Sequence, residues 1–427
     1  MKIRFYNANI IPFNGPCATA ALGELWTDGE KIAFVGEPKG RLPDFDREID
    51  CHGNVLLPGF KNAHTHSAMT FLRSLADDKP LQSWLYEDVF PLEKYLSFED
   101  VYTLTRLALL EYVAGGITAV FDMYYHYDAI VKAAIDSGFR LVLCDSTNDF
   151  GGSAKQMRED FGRYNSLHPL ISYRLGFHAE YTTSLSLMQE IAELANELHS
   201  PVYTHNSETV AEVCGCVERY GKTPTELMDS IGMFNYGGGG FHCVHLSEMD
   251  MQIFEKRGLY AVTCGGSNVK LSSGIAPLEE FYKRGISVAI GTDGPASNNC
   301  LNFFREMFLA TGLQKLKNGA ASTDANLVLR SACSVGARAM GLSNCDSLTV
   351  GKQADLVMID LHRPNMQPVN NLSKNIVYSG SNENIALTMI AGKTVYERGS
   401  FYCNCDPEKL YAEANAIIAR IKKSSGR

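Results

Sequence analysis

The sequence predicts an α/β fold: a (β/α)8 TIM-type barrel with a small β-sandwich domain formed by both chain termini. Three observations predict this fold. Eight strand-like segments alternate with helix-like segments through the middle of the chain. Short segments with alternating apolar and polar residues flank that region on both sides. The length of 427 residues is enough for a barrel and a smaller domain.

The expected barrel strands are short apolar runs separated by helical periodicity. They are Leu56–Ala63, Ile117–Met123, Phe139–Cys144, Ile171–Phe177, Val202–Thr204, Gly240–Cys243, Leu259–Thr263 and Ile286–Gly291. Helical periodicity is clearest in Phe98–Val113, Ser184–Leu198 and Glu248–Lys256. Eight such units in this length of chain favour a closed barrel over an open sheet.

The two ends of the chain share a β-rich character. Strands are expected at residues 2–12, 22–28, 31–36, 354–361, 375–379 and 385–397, and an amphipathic helix is expected at about 407–422. The predicted division is therefore residues 1–55 as the N-terminal part of the β-sandwich domain, 56–349 as a metal-dependent barrel, and 350–427 as the C-terminal part of the sandwich plus a terminal helix.

Composition and charge limit the function classes. Lys and Arg total 39 against 48 Asp and Glu, a net charge of −9, which disfavours binding to nucleic acid or to an anionic membrane. No signal peptide or membrane-length apolar run is recognisable, so a cytoplasmic location with reduced cysteines is expected. The pairs Cys214/Cys216 and Cys403/Cys405 lack a second pair at zinc-finger spacing and are interpreted as incidental thiols. Assembly into a homo-oligomer is left open.

Polar side chains stand where the predicted strands end, the position of functional residues in such barrels. They are His64 and His66 after strand one, His178 after strand four, His205 with Glu208 after strand five, His242 in strand six, and Asp293 after strand eight. Alternate residues of a strand point to the same side, so His64 and His66 can reach one ion. Strand eight lies beside strand one in a closed barrel. Imidazole with carboxylate suits one divalent metal ion, zinc first and iron(II) second.

Several longer motifs make the pattern specific. They are PGFKNAHTHSAMTFLRSLADD at 58–78, WLYEDVFPLE at 84–93, GITAVFDMYY at 116–125, the segments at 178–182, 205–209 and 242–246, SNVKLSSGIAP at 267–277, and 291–299. As a set they resemble the amidohydrolase superfamily. They are most similar to its branch of S-adenosylhomocysteine, methylthioadenosine and related adenosine-type deaminases and chlorohydrolases.

That resemblance implies a role for each strand-end residue. His64, His66, His205 and Asp293 would be the metal ligands, and Asp293 would also accept a proton from the attacking water. Glu208 would carry a proton to the ring nitrogen and to the leaving amine. An amine is a poor leaving group unless it is protonated. His242 would polarise the attacked centre or orient the attacking group. The residues matching the substrate pocket are Trp84, Glu93, His178 and Glu208, with Glu93 accepting hydrogen bonds from ribose hydroxyls.

Two departures from the branch bear on the substrate. Members that accept S-adenosylhomocysteine carry an arginine after strand three, where this chain has Cys144-Asp145. Arg158 or Arg163 could substitute from the following loop. A His-Asn-Pro segment after strand seven is replaced by Cys264-Gly265-Gly266, which is expected to reshape one pocket wall.

The sequence therefore predicts a hydrolase that acts on C–N bonds in a cyclic amidine. It would release ammonia from an adenosine-like nucleoside: adenosine, 5′-deoxyadenosine, methylthioadenosine or S-adenosylhomocysteine. The absence of a lysine at the end of strand four argues against a two-metal site bridged by a lysine carbamate. The alternatives within the superfamily are a guanine, 8-oxoguanine or cytosine deaminase, or a triazine-type chlorohydrolase. A non-catalytic binding protein on this scaffold is the alternative from another class.

Overall fold

The computed structural model describes residues 1–15, 20–75 and 77–426, and it contains a nearly closed parallel barrel. Neighbouring strands of the barrel pair in parallel along the chain order. The strands are Phe60–Thr65, Ile117–Met123, Arg140–Cys144, Ile171–Ala179, Val202–Asn206, Gly238–His242, Tyr260–Thr263 and Ser287–Ile290. The predicted TIM-type architecture is confirmed.

The barrel closes where the eighth strand meets the first. The main-chain N–H groups of Thr292 and Asp293 both donate to the carbonyl oxygen of His64, at 3.1 and 3.0 Å. At Gly291 a Cβ atom would lie 2.8 Å from the Cβ of His64 and 2.9 Å from its main-chain nitrogen and oxygen. The two strands approach this closely because residue 291 has no side chain.

The helices surround the barrel, and one helix is the last element of the chain. The α-helices are Leu81–Ser83, Phe90–Glu93, Phe98–Ala114, Tyr127–Ser137, Ala154–Leu167, Leu185–Leu198, Val210–Tyr220, Pro224–Ser230, Glu248–Arg257, Gly265–Lys270, Leu278–Arg284, Phe303–Asn318, Ala325–Arg330, Gly336–Ala339, Leu372–Lys374 and Pro407–Ser425. The 3-10 turns are Ser67–Leu72, Glu180–Thr182, Ser343–Cys345, Pro364–Met366 and Asn382–Asn384, and the π-helical turns are Trp84–Val89, Ser331–Val335 and Asn375–Ser379.

Side-chain caps fix where several helices begin. Ser97 and Asp100 form a reciprocal capping box at the start of Phe98–Ala114, and Ser247 and Asp250 do the same before Glu248–Arg257. Such caps satisfy main-chain N–H groups that have no partner within the helix. Within the described residues, no helix is long and apolar enough to cross a membrane.

The small domain is a nine-stranded mixed sheet built from both ends of the chain. Its strand order is Ser400–Phe401, Lys393–Glu397, Ile385–Ile390, Leu356–Ile359, Val55–Pro58, Lys2–Ile10, Ala21–Asp28 and Lys31–Gly36, with Arg47–Asp50 also paired to Lys2–Ile10. The expected pairing of the two chain ends in one sheet unit is confirmed. The sequence turn at Asn14-Gly15 leads into residues 16–19, which lie outside the described residues.

The predicted first barrel strand, Leu56–Ala63, is wrong as a single element. The segment divides at Gly59: Val55–Pro58 pairs with Leu356–Ile359 in the terminal sheet, and Phe60–Thr65 enters the barrel. A Cβ at residue 59 would lie 2.1 Å from Thr118 Cγ2, so a larger residue would collide where the chain changes sheets. Both halves are fully buried, and the Pro58-Gly59 pair between them is the signal of a break that the sequence offers.

The predicted strand at residues 375–379 is also wrong, because Asn375–Ser379 is helical. The Asn371 side chain accepts a hydrogen bond from the main-chain N–H of Lys374 at 3.0 Å and caps the preceding turn. The Asn375 side chain donates to the carbonyl of Met366 at 3.0 Å. These local hydrogen bonds outweigh the weak β propensity of the short apolar run.

Replacing Gly291 with alanine tests the closure of the barrel. The added Cβ would force the first and eighth strands apart at the main chain of His64, and we expect a loss of about 1–3 kcal/mol in the free energy of unfolding. Gly162→Ala is the matched control, because that glycine lies inside Ala154–Leu167 with nothing within 4 Å of the new Cβ. The control should be neutral or slightly stabilising. Urea unfolding of both variants measures the difference, and equal stabilities would contradict the role of Gly291.

Candidate active site

Four of the predicted site residues converge at the carboxyl end of the barrel. One ligand-type atom from each of His64, His66, His205 and Asp293 lies within 4.8 Å of the others. Asp293 Oδ1 is 3.1 Å from His66 Nε2 and 3.5 Å from His64 Nε2. Three strands that are distant in sequence supply these side chains, as the sequence predicts.

The donor set fits a divalent metal of the zinc type. Both ring nitrogens of the fully buried His64 lack a hydrogen-bond partner within the described residues, a costly arrangement unless a ligand uses one. Burial lowers the pKa of His64 to about 3, so the ring is neutral with a lone pair to offer. The Nδ1 atoms of His66 and His205 bond to the carbonyls of Met123 and His178. Those bonds leave Nε2 of each ring available to a metal.

The carboxylate of Asp293 is held from behind by two hydroxyl groups. Ser267 and Ser297 donate to Oδ2 at 2.6 and 2.8 Å, which leaves Oδ1 directed at the histidines. Asp293 itself has a left-handed backbone, with φ of 57°. The eighth strand ends at Ile290, so this turn places the carboxylate back over the barrel mouth.

Glu208 and His242 lie beside the four-residue cluster as an acid–base pair. Glu208 Oε1 is 3.9 Å from His242 Nδ1 and accepts a hydrogen bond from the Ser273 hydroxyl at 2.8 Å. His242 Nδ1 also lies 2.8 Å from the side-chain oxygen of Asn268. Burial acts to lower the pKa of His242, but the nearby carboxylates of Glu208 and Asp293 raise it above the usual histidine value. Glu208 and the His242 imidazole both line the cavity beside the cluster, where each can act on a substrate.

Glu212 holds the loop that carries Glu208. Its two carboxylate oxygens accept hydrogen bonds from the main-chain N–H groups of Ser207 and Glu208, each at 2.8 Å. Glu212 is buried in the first turn of Val210–Tyr220. Burial and the neighbouring Glu208 raise the pKa of Glu212 to about 7. Since Ser207 has a left-handed backbone with φ of 52°, the two bonds stabilise a turn that would otherwise be strained.

A cavity of about 810 Å³ opens over the cluster. Its walls include the other predicted substrate-binding residues, namely Trp84, Glu93, His178 and Glu208, together with His242. The indole N–H of Trp84 is buried without a hydrogen-bond partner in the described part of the chain. The π-helical turn Trp84–Val89 presents it, a distortion often found at functional sites.

Glu93 and His178 are held by neighbours on the cavity wall. The hydroxyl of Tyr124 donates to Glu93 Oε1 at 2.7 Å, and the hydroxyl of Tyr125 donates to Oε2. Each carboxylate oxygen keeps a second lone pair for a ligand. His178 Nδ1 bonds to the Thr182 hydroxyl at 2.8 Å, and burial lowers the pKa of His178 to about 4. His178 is therefore neutral at physiological pH.

The described residues that line the cavity include Lys94 but no arginine. Asp145 also lines the cavity and accepts hydrogen bonds from the Thr147 N–H at 2.7 Å and from the Tyr173 hydroxyl. Arg158 pairs with Glu197, and Arg163 pairs with Asp128 at 2.7 Å. The two arginines suggested by the sequence as replacements thus bind surface carboxylates and do not reach the cavity.

The Cys264-Gly265-Gly266 segment lies behind the cavity wall instead of on it. Gly265 and Gly266 begin the helix Gly265–Lys270, and the N–H of Gly266 donates to Glu306 at 3.0 Å. A Cβ at residue 266 would lie 2.5 Å from the side-chain oxygen of Asn298 and 2.6 Å from that of Glu306. These two buried side chains fill the space next to the glycines, and Cys264, Gly265 and Gly266 are not among the described residues that line the cavity.

Sequence reasoning missed the residues that orient the site. Asn268, Ser267 and Ser273 belong to the SNVKLSSG motif, which marks the family without revealing what each side chain touches. Ser297 lies within the motif at 291–299, which likewise does not reveal what the side chain touches. Glu212 carried one available signal, because a Glu three residues after Thr209 matches an N-terminal capping pattern.

With fold and site described, comparison with known proteins identifies the family. Residues 55–395 match the model of the amidohydrolase family. The chain belongs to the amidohydrolase family, and is a hydrolase of that family.

Curated relatives resemble nearly the whole chain. The 5-methylthioadenosine/S-adenosylhomocysteine deaminase of Moorella thermoacetica is 35% identical over 422 residues, 96% of this chain and 98% of the relative. The enzyme of the same name from Thermococcus kodakarensis is 38% identical over 356 residues, 82% of this chain and 84% of the relative.

Among solved structures, an adenosine deaminase from Xanthomonas campestris with bound zinc has a TM-score of 0.92 and 31% identity, covering 99% of this chain and 98% of its own. An atrazine chlorohydrolase from Arthrobacter aurescens has a TM-score of 0.89 at 22% identity, covering 97% of this chain and 100% of its own, and shows the shared fold.

Metal analysis tests the four-residue cluster. Protein reconstituted with zinc should hold about one ion per chain, the stoichiometry of a single closed donor set. His205→Ala should lose most of that zinc, because it removes a ring nitrogen from the cluster. His178→Ala is the matched control, since it deletes a neighbouring ring while leaving the main-chain carbonyl that orients His205. Retention of zinc by His205→Ala, or its loss from His178→Ala, would show that the donor set is different.

Glu212→Gln tests the support beneath Glu208. Gln offers one oxygen where two N–H groups need acceptors, and an unsatisfied buried group costs about 1–3 kcal/mol. We expect the kcat of the hydrolase reaction to fall about tenfold or more, while the zinc content of the protein stays unchanged. The control Glu218→Gln lies exposed on the same helix and should leave kcat at the parental value. An unchanged kcat in Glu212→Gln would mean that Glu208 is positioned without it.

Proposed function

We propose that the protein is a metal-dependent hydrolytic deaminase that releases ammonia from an adenosine-type nucleoside, with one zinc ion per chain. The observation that carries the proposal is the position of the Glu208–His242 pair beside the four-residue metal cluster at the base of a nucleoside-sized cavity. The names of the relatives at 35–38% identity support the same reaction. The intact site argues against a non-catalytic binding protein.

Each polar residue has a distinct task in this reaction. Zinc, when bound by His64, His66, His205 and Asp293, supplies a Lewis acid that makes water nucleophilic at neutral pH. Asp293 accepts a proton from the attacking water, and its two serine partners keep the carboxylate in place.

Glu208 and His242 act on the purine. Glu208 carries one proton of the attacking water to the ring nitrogen beside the attacked carbon, and the Ser273 hydroxyl fixes the direction of its carboxyl group. The second water proton, taken up by Asp293, passes to the departing amine, so that ammonia leaves. His242 donates a hydrogen bond where negative charge develops, a task favoured by its raised pKa.

The remaining cavity residues suit a nucleoside. Glu93 offers carboxylate lone pairs to ribose hydroxyls, and its two tyrosine partners hold it in one orientation. The unpartnered indole N–H of Trp84 provides a donor for a polar atom of the substrate. His178, neutral and buried, presents an imidazole to the purine.

An ammonia-release assay tests the reaction. Zinc-loaded protein should release ammonia from adenosine, 5′-deoxyadenosine or methylthioadenosine faster than from guanine, 8-oxoguanine or cytosine, and it should release chloride from a chlorotriazine more slowly still. Glu208→Gln should retain zinc and lose about 10²–10⁴-fold in kcat, because Gln cannot carry a proton. Preference for one of the other substrates, or full activity in Glu208→Gln, would overturn the proposal.

The 5′ end of the nucleoside gives a sharper prediction. Asp145 lines the cavity, and Lys94 is present there but no arginine is among the described lining residues, so a distal carboxylate has no guanidinium to bind. A hydrogen bond to a charged group contributes about 1.5–3 kcal/mol. We therefore expect kcat/KM to be about 10–100 times higher for methylthioadenosine than for S-adenosylhomocysteine. Equal values, or the reverse order, would show that another group binds the carboxylate, and Arg158→Ala and Arg163→Ala would identify it.

A further inference from the structure

A second cavity lies at the opposite, amino-terminal end of the barrel. It has a volume of about 410 Å³, and its walls come from the starts of barrel strands and from the segment after Gly336–Ala339. Arg174, near the start of the fourth strand, lies on its wall, four residues before His178. At about 3.3 Å per residue this separation is about 13 Å along the strand. The second cavity is therefore separate from the substrate cavity.

Arg174 brings a positive charge to this cavity without a counter-charge. The guanidinium is partly buried, and no ion pair joins it to a carboxylate in the described part of the chain. Its one hydrogen bond runs from Nη1 to the carbonyl of Tyr173 at 3.3 Å. Burial lowers the pKa of Arg174, and the neighbouring phenol of Tyr203 acts in the opposite direction. Buried arginines are almost always paired, so this group lacks its usual partner.

The backbone makes room for this side chain at Gly341. A Cβ there would lie 1.9 Å from Nη2 of Arg174, and the φ angle of 75° is left-handed. A glycine is thus required for the guanidinium to occupy this place. Gly341 therefore allows the Arg174 guanidinium to lie against the cavity, and a larger side chain at residue 341 would displace it.

A second arginine without an acidic partner lines the same cavity. Arg338 forms no ion pair among the described residues, and the aromatic ring of Tyr260 lies on the same wall. A neighbouring cavity, also of about 410 Å³, shares Arg174 and adds Arg140, whose charge is matched by Asp355 at 2.6 Å. Asp355 is thus already paired, and no carboxylate among the described residues forms an ion pair with Arg174 or Arg338.

We propose that Arg174 and Arg338 form a binding site for a phosphate-class oxyanion at the amino-terminal end of the barrel. Guanidinium groups match the oxygens of phosphate by paired N–H donors, which gives both charge and geometry. The site is independent of the proposed reaction, since its residues lie at the other end of the strands. The anion is either free inorganic phosphate or the phosphate of a sugar ester.

Calorimetric titration of the zinc-loaded protein with inorganic phosphate, and separately with ribose 5-phosphate, tests the site. Binding of both anions should weaken about tenfold or more in Arg174→Gln and in Arg338→Gln. Arg163→Gln is the control, since that arginine is exposed and already paired with Asp128. Similar affinity for the two anions indicates recognition of the phosphate alone, and tighter binding of ribose 5-phosphate indicates a sugar ester.

Thermal unfolding provides a second readout that does not depend on activity. Phosphate should raise the Tm of the parent protein and of Arg163→Gln, but not that of Arg174→Gln or Arg338→Gln, because a ligand stabilises the folded state it binds. If Arg174→Gln fails to fold, the exposed Arg338→Gln still gives the answer. Phosphate binding that survives both substitutions, or no binding to the parent protein, would overturn the proposal.

Discussion

The hydrogen bonds that close the barrel at His64 are the constraint on which the site depends. The carbonyl of His64 accepts from the N–H groups of two residues that follow the eighth strand, one of them Asp293. The same contact therefore completes the sheet and sets the carboxylate beside the histidines. Gly291 permits the approach, since any side chain there would strike the main chain of the first strand. The closure of the barrel and the position of the candidate metal ligands therefore depend on the same hydrogen bonds.

Much of the site is built from main-chain conformations that are unfavourable in isolation. Ser207, His242, Cys243 and Asp293 all have φ between 49 and 69° and all stand at or beyond strand ends near the cluster. Such residues persist where surrounding contacts hold them. Here the contacts are hydrogen bonds with the side chains of Glu212 and Asn268, which accept, and of Ser267 and Ser297, which donate. A rigid arrangement of this kind suits a reaction in which several groups must act on one small substrate.

The sequence allowed the barrel and the residue cluster to be predicted because both leave local signals. Alternation of strand and helix is periodic, and a His-x-His pair after an apolar run places two rings on one face. The break at Gly59 has a sequence signal in the Pro58-Gly59 pair, but the residues on both sides are buried in strands, and the signal alone does not show that the chain changes sheets. The helical turn at Asn375–Ser379 was missed for a different reason. It is fixed by hydrogen bonds of two side chains, Asn371 to the N–H of Lys374 and Asn375 to the carbonyl of Met366.

The supporting hydrogen bonds could not be predicted, since they join segments far apart in sequence. Ser273 reaches Glu208 across 65 residues, and Asn62 reaches Thr292 across 230. Pairing of this kind needs the closed barrel before it can be recognised. The same holds for Arg174 and Arg338, whose lack of an acidic partner is a property of the folded surroundings.

The central claim is that closure of the barrel creates a single metal site from its first, fifth and eighth strands. A crystal structure of the zinc-loaded protein, with anomalous diffraction recorded at the zinc edge, tests this claim most directly. The account predicts one anomalous peak per chain, about 2.0–2.2 Å from ring nitrogens of His64, His66 and His205 and from a carboxylate oxygen of Asp293. Two peaks in the barrel mouth, or a single peak held by other residues, would contradict it.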